Sequence, residues 1–302
     1  MEYSIALRDV NKSYGGRRVI TDASLSIPAG KITGFVGPDG SGKTTLMRIM
    51  CGLECPDNGT GQCYGIDIFA KPEQVRALTG DMSQNISLIE QLTVKENLLF
   101  LAKSRSVPYA HERIDELITE LNVEHLSDTL ALHLSTDCKL RVSLAASILH
   151  SPKVLILDEP TAGVTLAARR AFWQALECLS AKGMTILVST HYSDEAERCH
   201  YLVRMSNGRP LSCGPASAIV HSLGLTTFAI RGPDLLSLKC QFSGIKEVEQ
   251  TVIFSNTLYV TGKQCDGLLS AVRMLPVRYQ IEHTSSAIAA SVAGLATKNL
   301  PA

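Results

Sequence analysis

The run Gly37-Pro38-Asp39-Gly40-Ser41-Gly42-Lys43-Thr44-Thr45 holds the residue types needed to grip a polyphosphate, at the spacing G-x-x-x-x-G-K-[ST]. Glycines in such a turn allow left-handed backbone and close approach to an anion, so that successive N–H groups point inward. A helix starting where the loop ends adds partial positive charge at its N-terminus. Lys43 supplies a mobile ammonium for the outer phosphates, and Thr44 a hydroxyl for Mg²⁺. Asp158 follows four apolar residues, Val154 to Leu157, and so stands at a strand tip. There its carboxylate can hold Mg²⁺ through water, opposite Thr44. Glu159 comes next, and successive strand residues point to opposite faces, so the two carboxylates are expected to take separate roles. Glu159 is placed to polarise a water for attack on a γ-phosphate. His191, just past another apolar run, can contact that phosphate and hold Glu159 and the water in line, while Gln84 can reach Mg²⁺ and the attacking water. Tyr14 lies ahead of the loop, where a ring can stack on a base face for about 1–3 kcal/mol. Taken alone, it reads better as a tyrosine at a hairpin end.

These groups need elements to hold them. Ile32 to Val36 is an apolar run of strand length, and Leu46 to Met50 continues well as a helix. Residues 3 to 27 alternate as strands, turning at Tyr14-Gly15-Gly16-Arg17. Ala77 to Met82 reads as a strand ending at Ser83-Gln84. Residues 93 to 149 turn helical, opened by a capping box of Thr93 and Glu96. Val154–Leu157 and Thr185–Ser189 are buried strands separated by a helix from Ala167 to Ala181, followed by a short helix from Asp194 to Arg198 and a strand from Tyr201 to Met205. Strands alternating with helices imply an α/β fold with a mostly parallel sheet, in which ligands gather at the carboxyl ends of strands. Gln84, Asp158, Glu159 and His191 all stand at such ends. The expected organisation is one domain over 1–220, with a helical insertion at about 86–150, and a small α+β domain over 226–302. Gly214-Pro215 and Gly224 bracket the expected linker. The second domain is expected to hold a helix from Pro233 to Leu238, strands near 252–254 and 258–260, a helix from Asp266 to Met274 and a last strand near Val277 to Glu282.

Composition narrows the function. Lys+Arg and Asp+Glu both total 29, so no net field argues for nucleic acid or an anionic membrane. The nine cysteines show no C-x-x-C pair, which fits a reducing cytosol, and Cys51, Cys55 and Cys63 read as residues of adjacent faces rather than a metal cluster. No apolar run approaches the roughly 20 residues that span a bilayer. The first residues show no charged-then-apolar leader, so no secretion signal is expected.

Taken together, Tyr14, Gly37 to Thr45, Gln84, Leu134-Ser135, Val154 to Pro160 and Ser189-Thr190-His191 resemble the ATP-binding cassette (ABC) family. They correspond in order and spacing to its A-loop, Walker A, Q-loop, signature, Walker B and switch histidine. The resemblance covers residues 3 to about 215 and implies a P-loop NTPase fold, ATP and Mg²⁺ as cofactors, and Tyr14 stacked on adenine. It also implies dimers in which each ATP is held by one chain's Walker motifs and closed over by the other chain's signature and D-loop. Two departures stand out. Where the family has L-S-G-G-Q or L-S-G-G-M, this chain has Leu134-Ser135-Thr136-Asp137-Cys138, and a D-loop that usually ends in Asp reads Ala162-Gly163-Val164-Thr165. Asp39, where relatives often carry Asn or Ser, is a smaller one. A carboxylate at 137 facing a phosphate charge about 5 Å away would cost roughly 3 kcal/mol at an effective dielectric near 20. The bland alternative is that Asp137 favours a helix N-terminus. Both altered segments are lent to a partner's ATP, whereas the groups for this chain's own ATP are intact. The expectation is an asymmetric pair, with a hetero-partner supplying a glycine-containing signature.

Residues 84 to 98 look like the stretch by which export ATPases grip a separate transmembrane permease, and the chain after residue 225 is similar to the accessory domain of bacterial drug and antibiotic efflux ATPases. The resemblance thus implies the ATPase subunit of an exporter, peripheral on the inner face of the membrane through its permease. A non-transport cassette protein of translation or DNA maintenance usually has two cassettes in one chain or long coiled-coil insertions. A nucleotide sensor with little turnover fits the altered signature but not the intact Glu159 and His191.

Overall fold

The computed structural model describes residues 2–82, 88–190, 192–222, 225–245, 248–254, 256–263, 266–276 and 278–284. The chain opens with β1 (Tyr3–Tyr14), β2 (Arg17–Pro28), β3 (Ile32–Val36), α1 (Lys43–Met50), β4 (Asn58–Cys63), β5 (Ile66–Asp67), α2 (Pro72–Ala77) and β6 (Thr79–Met82). Three helices follow, α3 (Val94–Ser104), α4 (Ala110–Glu120) and α5 (Thr136–Ile148). Next come β7 (Val154–Asp158), α6 (Leu166–Ala181), β8 (Thr185–Ser189), α7 (Ser193–Arg198), β9 (Tyr201–Ser206), β10 (Arg209–Pro215) and α8 (Ala216–Ser222). The remainder is β11 (Leu225–Arg231), α9 (Leu235–Ser243), β12 (Val248–Phe254), β13 (Thr257–Lys263), α10 (Asp266–Arg273) and β14 (Gln280–Thr284).

The central sheet has the order β10-β9-β3-β8-β7-β6. All its pairs are parallel except the β9–β10 hairpin. Strand periodicity divides the core in two. Val154 and Ile156 of β7, Leu187 of β8 and Phe35 of β3 pack with α1 and the antiparallel sheet β2-β1-β4-β5. Leu155, Leu157, Ile186, Val188, Ile32 and Val36 point the other way, into a cluster with α3 to α6. A parallel strand covered on both faces must be apolar throughout, which is why these runs carry no alternation in the sequence.

Helix ends are set by local chemistry. The Thr93–Glu96 capping box forms as expected: the Thr93 N–H donates to Glu96 Oε2 at 2.8 Å and the Glu96 N–H donates to Thr93 Oγ1 at 3.2 Å. Ser135 caps α5 and Thr165 caps α6, each accepting an N–H three residues on.

Several boundaries differ from the sequence expectation. Ala77 ends α2, a helix opened by Pro72 at its first position, and only Thr79–Met82 is strand. The expected linker is helical up to Ser222, because Ile219 of α8 is buried in the main core. Helix α9 starts at Leu235, where Asp234 accepts the Ser237 N–H, and continues to Ser243 so that Phe242 is buried. The last strand lies at 280–284. Strands β11 to β14 form an antiparallel sheet of order β12-β13-β11-β14. With α9 and α10 between its strands this is a βαββαβ unit of the ferredoxin-like kind, around its own cluster of Phe228, Ile230, Leu258, Val260 and Leu268.

Trp173 of α6, the single tryptophan of the chain, is 1% exposed in the main core. Trp173→Ala should cost about 3–5 kcal/mol of stability. Urea denaturation followed by far-ultraviolet circular dichroism measures it, and a loss below about 1 kcal/mol would show that this layer is not packed as described.

Candidate functional site

Strand β3 ends at Val36 and α1 begins at Lys43, so residues 37 to 42 form the loop between them. Its glycines answer to the protein's own backbone. A Cβ on Gly37 would lie 2.2 Å from the Met205 carbonyl oxygen. Gly42 has φ +94°, and a Cβ there would meet Ile20 Cδ1 at 2.7 Å and the Val19 carbonyl oxygen at 2.9 Å. Gly42 also opens α1, which therefore has no side-chain cap, and its first turn, Lys43-Thr44-Thr45, holds no acid. Helices α3, α5 and α6 have side-chain caps, and α2 and α4 carry an acid in the first turn, whereas α1 has neither. Its first-turn N–H groups and positive dipole end are available to an anion.

Lys43 is buried and its Nζ donates to the carbonyls of Gly37 at 2.9 Å and Pro38 at 3.1 Å. Burial lowers its pKa, against the pull of Glu159, Asp39 and Asp158. The Ser41 hydroxyl is buried without a hydrogen-bond partner among the described residues. Asp39 and Gly40 are exposed at the loop tip, and Thr45 is half-buried. An uncapped helix start, a folded-back ammonium and an unpartnered hydroxyl in one turn fit a polyphosphate.

The carboxyl ends of three strands converge beside this loop. Thr44 Oγ1 lies 3.0 and 2.9 Å from the two Asp158 carboxylate oxygens. The buried Ser189 hydroxyl, at the tip of β8, donates to Asp158 Oδ1 at 2.6 Å and accepts the Glu159 N–H at 2.9 Å. A hydroxyl and a carboxylate held together this way make a hard oxygen donor set suited to Mg²⁺. Glu159 separates from Asp158 for a different reason than strand alternation. It lies beyond β7 with φ +47°, a left-handed backbone that costs a non-glycine residue about 1–2 kcal/mol. Such strain is held at functional sites by the surrounding structure.

Tyr14 ends β1, is 46% exposed, and has the Lys12 ammonium 5.0 Å from its ring centroid. Burial and then the nearby Glu54 push its hydroxyl pKa up. Gln84 and His191 lie outside the described residues. What the sequence reading missed is Glu195, which looks like any charge on a short surface helix. It is buried and meets Thr161, Thr190 and Arg169. No spacing in the chain signals those contacts.

Asp137 lies at two helix starts without being the cap of either. It sits in the first turn of α5, and its carboxylate takes the Thr165 N–H at 3.1 Å and the Thr165 hydroxyl at 2.6 Å at the start of α6. The segments 134–138 and 162–165 are thus bonded to each other within one chain.

An anion cradle at the carboxyl edge of a parallel sheet, with a metal-competent oxygen pair alongside, is the arrangement of P-loop nucleotide hydrolases. Residues 20–162 match the ABC transporter family. The chain is 36% identical over 262 residues to the Nod factor export ATP-binding protein I of Paraburkholderia xenovorans (strain LB400), covering 85% of this chain and 86% of the relative. It is 37% identical over 233 residues to the probable multidrug ABC transporter ATP-binding protein YbhF of Escherichia coli (strain K12), covering 76% of this chain and 40% of that protein. The solved structure of cbiO1 from Clostridium perfringens, part of the ABC transporter complex cbiONQ, is similar with a TM-score of 0.68 at 27% identity, covering 74% of this chain and 92% of that one. The chain belongs to the ABC transporter family, as an ATP-hydrolysing cassette. Among the described residues, no helix is long and apolar enough to cross a membrane.

The Thr165 hydroxyl, then its N–H, holds the Asp137 carboxyl below the ordinary value of 3.8. A depressed carboxyl stabilises the fold above the unfolded value and loses that contribution as pH falls through the folded one. Asp137→Asn should therefore be less stable than the parent near neutral pH, with the gap closing below pH 3.8. Denaturant melts across that range test it; a gap independent of pH would mean that the charge does not matter.

Proposed function

We propose that this chain is the ATP-hydrolysing subunit of an ABC exporter for a drug, an antibiotic or another small amphiphile. It works with a separate transmembrane permease at the inner face of the membrane. The observation that carries the ATPase part is Thr44 bonded to both oxygens of Asp158 beside the uncapped start of α1. In this reading Thr44, Asp158 and Gln84 hold Mg²⁺, which when bound screens and orients the phosphate oxygens. Lys43 exchanges two backbone carbonyls for the outer phosphates. The N–H groups of residues 37 to 45 cradle them, and Tyr14 stacks on the adenine. Glu159 orients the attacking water and takes its proton, with His191 and Gln84 keeping the water in line. The export function rests on relatives named for Nod factor export and for multidrug transport. A cleft of about 770 Å³, lined by Leu53, Ala77, Val107 and Pro108 with Arg76 and Arg105, supports docking of the permease. It includes Thr79 and Asp81, next to the stretch that resembles the permease grip.

Pairing with a different cassette is part of the proposal. Thr136 and Asp137 stand where bare glycine backbone would approach a partner's phosphate, and Asp137 is committed to Thr165. A homodimer would carry this change at both sites, whereas a partner with a glycine-containing signature would leave one site whole.

In the full chain, Lys43→Ala should abolish ATP binding and turnover. Glu159→Gln should keep MgATP binding while turnover falls about 10²–10⁴-fold. Calorimetric binding and phosphate release separate the two effects, and unchanged affinity and turnover in Lys43→Ala would overturn the ATPase assignment. Preserved turnover in Glu159→Gln would remove that residue as the base. A chain carrying Thr136→Gly and Asp137→Gly should turn over faster by itself than the parent. No gain would count against the asymmetric pairing.

A further inference from the structure

We infer that Glu195 is a positioning residue for hydrolysis: a buried carboxylate that ties the loop after Glu159 to the tip of β8. The inference rests on the ATPase reading above and goes beyond it by assigning a group that touches neither nucleotide nor metal. Glu195 is on α7 and is 1% exposed. A carboxylate has no proton to donate, so it is tolerated inside a protein only when donors surround both oxygens. Here the Thr161 hydroxyl donates to Oε1 and the Thr190 hydroxyl to Oε2. Arg169 of α6 brings its Nε to 3.5 Å from Oε1. The same guanidinium lies 3.7 Å from the Tyr192 ring centroid, and the Tyr192 N–H donates to Thr190 Oγ1 at 3.0 Å.

Three separate segments therefore meet on one carboxylate. Thr161 is two residues beyond Glu159, whose left-handed backbone must be held by its neighbours. Thr190 directly follows Ser189, the residue that bonds both Asp158 and the Glu159 N–H. Glu159, Thr161, Thr190 and Glu195 all line one cavity of about 70 Å³. Glu195 thus sets the backbone on both sides of the proposed base, while the phosphate cradle on α1 is built from other residues. Losing it should spoil the attack geometry and spare nucleotide binding. A near-isosteric amide is a poor substitute, since its NH₂ would face a hydroxyl that now donates and Arg169 would lose its counter-charge.

The test uses the full chain, with phosphate release from ATP for kcat and KM and thermal melting for the fold. Glu195→Gln and Thr190→Val should each lower kcat at least about tenfold with KM within about twofold, and Thr190→Ser, which keeps the hydroxyl, should restore the parent rate. The inference is overturned if Glu195→Gln and Thr190→Val stay within about twofold of the parent kcat. It is equally overturned if Thr190→Ser is as slow as Thr190→Val, or if kcat falls only in step with ATP affinity. Should Glu195→Gln fail to fold, the two threonine variants decide. Lys43→Ala is run alongside. If it too retains the parent rate, the ATPase reading itself fails. If it is inactive while the Glu195 and Thr190 variants are active, only the positioning role fails.

Discussion

Thr44 and Asp158 are 114 residues apart, and their hydroxyl–carboxylate contact is the constraint on which the site depends. Thr44 belongs to the helix that leaves β3, and Asp158 ends β7. In the sheet these strands are separated by β8. The β8 tip must therefore be small and polar where it lies between them, and Ser189 is both. Its one hydroxyl satisfies Asp158 on one side and the Glu159 backbone on the other. A shift of one residue in the β7–β8 register would point Asp158 to the opposite face and lose all three contacts. The apolar runs of β3, β7 and β8 hold that register, because their alternate side chains are divided between two cores on opposite faces of the sheet.

Helix ends carry the electrostatics. The positive end of α6 is given to a side-chain hydroxyl and to Asp137, and that of α3 to Thr93 and Glu96. The positive end of α1 has neither a cap nor an acid, and the left-handed backbone and crowding at Gly42 explain why no residue with a Cβ stands at the cap position. Glycine there fits the crowded backbone and leaves the helix start open. The Lys43 ammonium is held by two carbonyls of its own loop, which satisfies a buried charge.

The segments 134–138 and 162–165 are tied to each other at the starts of two helices. Their residues, Asp137 and Thr165, face each other across the gap between α5 and α6. A carboxylate that favours one helix N-terminus from the sequence in fact serves two. The pairing gives both residues a structural role within one chain.

Much of this was legible in the chain itself, because it rests on local physics. The glycine spacing and the Lys-Thr pair mark a loop suited to an anion, since they combine backbone freedom with a cation and a hydroxyl within a few residues. Unbroken apolar runs specify buried parallel strands, and Thr93 with Glu96 specifies a helix start. Residues 216–222 read as a linker in the sequence but form α8, because the burial of Ile219 depends on distant helices. Glu195 carries no signal in the sequence, because its partners Thr161 and Arg169 lie 34 and 26 residues earlier, and no sequence period links a carboxylate to such donors. The sequence determined which segments become strands and helices and which loop can seat an anion, since those follow from neighbours a few residues apart. Only the tertiary structure decided which hydroxyls meet Asp158, where Asp137 turns and what surrounds Glu195, because polar side chains take the donors that sheet order and helix packing bring within reach.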